Sequence, residues 1–369
     1  MSLPVYSSPH FGHSRNVTRV MTEVLVALAP AIIALWWYFG WGVIVNIVIA
    51  TAAAVATEAA VLALRGRSLK PLTDLSAVVT AVLFAVSIPQ LLPWWMTVLG
   101  MIFAILVVKQ LYGGLGYNPF NPAMAAYVFL LISFPADMSA WLPPAALNET
   151  QLSLGQTIAV IFTGSLPVNL TWDAITMATP LDVMRTELGQ GAMISEIRNS
   201  PIWGDFGGIG REWVGNWILL GGLFMLWRRT ITWHIPVSML GTVVVFATAA
   251  WLAEPEAFPN PLFHVFSGGL LLGAFFIATD PVSASTTPRG QLIYGALIGL
   301  LVIIIRTWGN YPDAVAFAVL LMNMAAPTID YYTQPRIYGE QEKQREHGEE
   351  LGCCIGHGHQ KAVDVLRRS

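Results

Sequence analysis

Apolar residues in this chain come in long runs instead of alternating with polar ones. Five runs, at residues 21–39, 42–64, 75–92, 94–111 and 120–134, are followed by a long polar stretch, and five more occupy 213–227, 232–252, 263–279, 290–305 and 313–329. A helix needs about 20 mainly apolar residues to cross the hydrocarbon of a bilayer. The pattern therefore predicts an all-α polytopic membrane protein with ten transmembrane helices. Its expected parts are an N-terminal arm (1–20), a five-helix membrane unit (21–134), a long loop (135–210), a second five-helix unit (211–329) and a polar tail expected to be disordered (330–369).

Positive charge orients these parts, because Lys and Arg are retained on the cytoplasmic side of short loops. Arg15 and Arg19 place the N-terminus inside. With ten spans, the remaining inner loops carry Arg65, Arg67 and Lys70, then Lys109, then Arg228 and Arg229, then Arg289, and the C-terminal tail is inside as well. Arg306 is the exception among short loops, and the loop 135–210 is expected to face the periplasm of a bacterial inner membrane. The first run leads into Trp36, Trp37 and Tyr38 instead of a small-residue cleavage site, so it reads as a retained span. Lys109, near a span end, is expected to snorkel to the interface.

Five spans is an odd number, so a duplicated five-span unit enters the membrane upside down, as two inverted repeats. Interruptions fall at matching places: Asn118 to Ala123 opens span five as Asn310 to Ala314 opens span ten, and Ser87-Ile88-Pro89-Gln90 ends span three as Thr279-Asp280-Pro281-Val282-Ser283 ends span eight. Chance likeness between apolar segments is the competing explanation. Broken helices at membrane depth are tolerated where they line a cavity.

Composition excludes a water-soluble fold. Hydrophobic residues make up 55% and charged residues 11% of the chain, against ~25% charged in soluble domains. A net charge of −3 gives no reason to expect nucleic acid. Cys353 and Cys354 are adjacent, which precludes a disulfide framework between distant segments, and with His347, His357 and His359 they make poor tetrahedral metal spacing, so no metal site is assigned. No P-loop, dinucleotide fingerprint or iron-sulfur cysteine set is visible. Ionisable residues at membrane depth suggest an ion route, and Glu58, Asp280 and Asp313 are the candidates. Each has a structural alternative: Glu58 satisfying a neighbouring subunit, Asp280 and Asp313 capping helix ends.

The long loop contains Asp173-Ala174-Ile175-Thr176-Met177-Ala178-Thr179-Pro180. It resembles the flavin-attachment motif D-G-x-[ST]-G-A-[ST], whose last hydroxyl residue is joined through a phosphoester to FMN by an extracytoplasmic flavin transferase. The counterpart of that residue is Thr179, with Asp173, Thr176 and Ala178 as the matching motif positions. Ala174 and Met177 depart from the pattern, and the loss of glycine at 177 removes a positive-φ option. Taken alone, a match to so short a pattern reads as an ordinary Thr179-Pro180 loop start. Asp173 and Thr176 either help the transferase dock or cap the following turn.

Three further segments extend the resemblance over roughly residues 5–340: Ser7-Ser8-Pro9-His10, Gly113 to Met124, and Ala278 to Ser283. Together they look like the D subunit of the Rnf ion-translocating oxidoreductases. The B subunit of the sodium-translocating NADH:quinone reductase has the same motifs, but it typically has a longer N-terminal extension than the 20 residues here. The resemblance implies electron transfer between ferredoxin and NAD coupled to movement of Na⁺ or H⁺, with FMN on Thr179, and it allows an additional non-covalent riboflavin. It implies Rnf subunits A, B, C, E and G as partners, besides lipid and, during maturation, the transferase. Asn118, Phe120 and Asn121, in a segment that glycines and Asn-Pro pairs keep from being helical, are the candidate flavin contacts; a tight turn that binds nothing is the alternative. A second functional class remains open, a channel or carrier for a small polar solute, because inverted repeats with broken helices also build those.

Overall fold

In hydrocarbon every backbone polar group must find its partner within the protein, and a helix satisfies this within one segment. A computed structural model describes residues 16–147, 151–168, 170–309 and 314–334, and its described residues are helical apart from turns and one isolated bridge, Trp203 to Gly208. Among the described residues, five helices are long and apolar enough to cross a membrane: α1 (Val17–Phe39), α2 (Gly42–Leu64), α12 (His234–Ala253), α15 (Pro288–Trp308) and α16 (Val315–Thr333). Between them lie α3 (Ser76–Ser87), α4 (Trp94–Ile102) continued by a π-helical turn (Phe103–Gln110), α5 (Pro122–Ser133) and α11 (Arg211–Trp227). The stretch 135–210 holds α6 (Pro135–Met138), α7 (Leu154–Thr163), α8 (Trp172–Ile175), α9 (Pro180–Gly189) and α10 (Ile194–Ile197). The run expected at 263–279 is divided into α13 (Pro261–Phe266), α14 (Leu270–Leu272) and a π-helical segment (Gly273–Ile277).

Boundaries move where proline and glycine act. Helix α3 stops at Ser87, short of the expected 92, because Ile88 precedes Pro89 and is pushed to extended geometry (φ −102°, ψ 159°). Asn46 of α2, fully buried, donates its amide to the freed carbonyls of Pro89 (3.2 Å) and Gln90 (3.0 Å). The sequence predicts a break only at the end of the run 263–279. The chain also breaks at Ser267-Gly268-Gly269, with Gly268 at φ +67°. Helix α16 continues to Thr333, so Asp330 belongs to the last helix and not to the tail.

The two halves share a pattern of neighbours. In the first, α2 packs on α3 and α4, and α5 touches both; in the second, α12 packs on α13 and α15, and α16 touches α15 and the π-helical segment. Contacts of α1 with α11 and of α5 with α16 join the halves. Small residues permit the tightest crossings: a Cβ on Gly221 of α11 would lie 2.2 Å from the Ala27 carbonyl oxygen of α1, and one on Gly299 of α15 2.5 Å from that of Met239 of α12. Close backbone approach of this kind is how helices associate in lipid, where burial of apolar surface offers no drive.

Candidate functional site

Thr179 stands at the start of α9, and its place follows from local chemistry. Pro180 cannot donate a backbone bond and is pre-shaped for a first helical turn, so Thr179 becomes the N-cap. Its Oγ1 accepts from the Asp182 N–H (3.3 Å) while its own N–H donates to Asp182 Oδ2 (3.3 Å), a reciprocal capping box. The hydroxyl also donates to Asp182 Oδ2 at 2.6 Å. Asp173 is exposed in the first turn of α8, Thr176 Oγ1 donates to the Trp172 carbonyl (2.8 Å), and Ala178 is exposed. The Met177 N–H donates to the Trp141 carbonyl (2.9 Å), which ties the segment leading to Thr179 to the one after α6.

Thr179 lines a cavity of about 400 Å³ between the two halves. Its walls include Leu35 and Phe39 of α1, Val86 and Ile88 at the break of α3, Tyr127 and Leu131 of α5, Ile218 of α11, and the Ser267-Gly268-Gly269 break before α14. The breaks at 87–90 and 267–269 thus face one internal space, where interrupted helices are tolerated, whereas the expected break at 279–283 does not line it. Volume and apolar lining fall in the range of small-molecule sites. Three charged side chains also line it: Asp182, Arg185 and Arg211. The Arg211 guanidinium lies over two aromatic faces, 4.9 Å from the Trp141 ring centre and 5.4 Å from that of Phe39.

Asn118, Phe120 and Asn121 are not in this wall. Asn121 caps the opposite end of α5, accepting from the Ala123 (3.0 Å) and Met124 (3.2 Å) N–H groups and donating to the Ile277 carbonyl (3.4 Å). Asn118, buried, donates to the Phe120 carbonyl at 3.0 Å. Gly113, Gly114 and Gly116 before them all have positive φ, the left-handed geometry that keeps this segment from being helical. The two groups of candidates therefore occupy different places.

Lys109 corrects an expectation. It does not snorkel: it is 2% exposed and donates to Glu58 Oε1 (2.7 Å) and Ser76 Oγ (2.7 Å). Gln110, the next residue, donates to the same Glu58 oxygen at 2.8 Å. The wider π-helical turn brings these consecutive side chains to one carboxylate, so Glu58 has partners within its own chain. Asp280 closes a turn after the π-helical segment, accepting from Ser283 Oγ (2.8 Å) and the Val282 N–H (3.5 Å), and no helix starts at it, α15 opening only at Pro288. Asp313 and the Cys and His residues of the tail lie outside the described residues.

Arg306, the exception to the charge rule, is buried and donates to the carbonyls of His264 (2.7 Å) and Ser267 (3.0 Å). It satisfies backbone groups released by the break after α13, a role that charge counting along a sequence cannot detect.

Hydropathy, helix lengths and the shared internal cavity define a polytopic helical membrane protein with a ligand-sized space at the junction of its halves. The chain belongs to the NQR2, RnfD, RnfE family, which it matches over residues 4–339. It is 50% identical over 346 residues to a protein of Aeromonas hydrophila, covering 91% of this chain and 99% of the relative. A protein of Erwinia tasmaniensis is 50% identical over 353 residues (93% and 99%), and one of Salmonella arizonae 50% over 351 residues (93% and 100%). All three relatives are named as the D subunit of an ion-translocating oxidoreductase complex.

Proposed function

We propose that this chain is the D subunit of an ion-translocating oxidoreductase complex and that it carries FMN joined by a phosphoester to Thr179. The observation that carries the reading is the position of that hydroxyl, in a motif-matching segment and on the wall of a 400 Å³ cavity between the halves. The residues present fit the group. Apolar walls suit a flat ring, and the positive end of the dipole of the ten-residue helix α9 favours a phosphate. When bound, the flavin supplies the electron-transfer chemistry. The protein presents the hydroxyl, excludes water with Leu35, Phe39, Ile88 and Ile218, and fixes the angle of entry through the Pro180 start of α9.

On this reading the complex exchanges electrons between ferredoxin and NAD, with partner subunits A, B, C, E and G. Ten spans in two inverted repeats place 135–210 in the periplasm, where the flavin transferase acts, and both termini in the cytoplasm. Coupled movement of Na⁺ or H⁺ uses buried ionisable groups, of which Glu58 beside Lys109 is the foremost. A non-covalent riboflavin near Asn118, Phe120 and Asn121 would be a separate site, since those residues lie apart from Thr179.

The test is a denaturing gel of the chain produced together with its transferase. A fluorescent band that disappears in Thr179→Val supports the tether; fluorescence persisting in the substituted chain moves the attachment elsewhere. Coupled ion transport unchanged in Glu58→Gln would remove that residue from the pathway.

A further inference from the structure

We infer that Gln90 orients the flavin ring in the cavity: its side-chain NH₂ donates to a carbonyl oxygen of the ring and so sets the carbonyl-bearing edge against the break after α3. The inference rests on the tether proposed above, but it concerns the ring and not the phosphoester end, which the tether itself fixes. Gln90 lines the same cavity as Thr179 and is 3% exposed. Its Oε1 accepts from the Leu142 N–H at 3.2 Å, and its Nε2 has no partner among the described residues. The Leu142 bond also decides which end of the amide is oxygen, since a backbone N–H can only donate. A buried amide is seldom left with an idle NH₂.

The donor is held in place by the protein alone, so little freedom remains to be lost when a ligand meets it. Its backbone is fixed from α2. Asn46 Nδ2 donates to the Gln90 carbonyl (3.0 Å), and a Cβ on Gly42 would stand 2.3 Å from that oxygen and 2.9 Å from Gln90 Cβ, an approach that only glycine admits. Its side chain is fixed by the peptide unit between Trp141 and Leu142. The N–H of that unit serves Gln90, and its carbonyl accepts from the Met177 N–H (2.9 Å), two residues before Thr179. One planar peptide therefore links the amide to the segment bearing the attachment hydroxyl. Apolar walls alone let a flat ring turn about its chain, and a few placed polar groups are what fix orientation in such a site. An isoalloxazine has carbonyl oxygens at one end and methyl groups at the other, so only one end can accept from Gln90. Ser267 Oγ, in the other break, is also buried without a partner among the described residues, but it lies beside Gly207, 3.3 Å from where a Cβ there would stand.

The experiment uses the full chain, produced with the transferase and loaded with flavin carrying carbon-13 at its carbonyl carbons. Intact mass reads loading, and isotope-edited infrared spectroscopy reads the carbonyl stretch, which a hydrogen bond lowers. Gln90→Met, of similar length and without a donor, is expected to load fully and to shift that stretch upward from the parent. Full loading with an unmoved stretch overturns the role of Gln90 and leaves the tether standing. A folded Gln90→Met chain that does not load assigns the residue to presentation of the attachment segment through Leu142 and equally overturns the inference. An unloaded parent chain overturns the tether and this inference together. If Gln90→Met does not fold, the loaded parent answers by itself, because Gln90 is the one glutamine among the residues lining the cavity. With glutamine side chains labelled with nitrogen-15, solid-state NMR is expected to show a dipolar coupling between a flavin carbonyl carbon and a glutamine amide nitrogen. Its absence in a fully loaded chain overturns the inference.

Discussion

Lys109 and Glu58 form an ion pair of 2.7 Å between the π-helical turn after α4 and the C-terminal third of α2, with 2% and 1% of their side chains exposed. Neither charge has access to bulk water, so each depends on the other. Removing one partner strands a buried charge, which costs about 3–5 kcal/mol, whereas replacing both with apolar residues of similar volume is far milder. Thermal unfolding in detergent should show Lys109→Met strongly destabilised and the double variant Glu58→Leu/Lys109→Met closer to the parent. Equal loss in the single and double variants would show that the pair is not the unit of stability.

Two glycines test the packing of the second half. Gly299 of α15 faces the Met239 backbone, so Gly299→Val is expected to force the helices apart and to cost about 1–3 kcal/mol. Gly241 of α12 is exposed with open space where its Cβ would stand, and Gly241→Ala should be neutral or stabilising by up to about 1 kcal/mol from helix propensity. Midpoints of thermal unfolding in one detergent compare the two. A harmless Gly299→Val would mean that α12 and α15 are less closely apposed than so short an approach requires.

The stretch 135–210 is fastened by an acid-sensitive contact. Glu256, in the segment after α12, accepts from the N–H (3.0 Å) and hydroxyl (2.9 Å) of Ser195, and these bonds hold its carboxyl below the ordinary glutamate range. The stabilisation is present above the unfolded glutamate value and is lost as pH falls through the lowered one. Hydrogen exchange at the Ser195 amide, after correction for intrinsic rates, should therefore accelerate in acid, and Glu256→Gln should flatten that dependence. Identical pH profiles in the two chains would count against the contact.

Much of this architecture is legible in the apolar runs, because the bilayer allows few ways to satisfy a backbone. Helices α1, α2, α12 and α15 lie close to where hydropathy puts them, and the departure of α3 from its run follows from Pro89. What escapes the sequence are relationships between distant segments. Lys109 reads as an interface residue, since nothing nearby in the chain shows that Glu58 stands opposite it. Arg306 reads as an anomaly of topology because its partners, the His264 and Ser267 carbonyls, are freed only when the chain breaks at Gly268. Arg211 carries no motif at all. Its clamp joins α1, the segment after α6 and α11, which meet only in the folded protein.

The central claim is the covalent group on Thr179, and intact mass of the purified chain measures it most directly. Three chains made with the transferase suffice: the parent, Thr179→Ser and Thr179→Asn. Asparagine keeps a good N-cap but has no alcohol to esterify, so loss of the group cannot be blamed on loss of α9. The account predicts the added mass of one FMN phosphoester in the parent and in Thr179→Ser, and none at that position in Thr179→Asn. A bare parent chain, or a fully loaded Thr179→Asn, would contradict it.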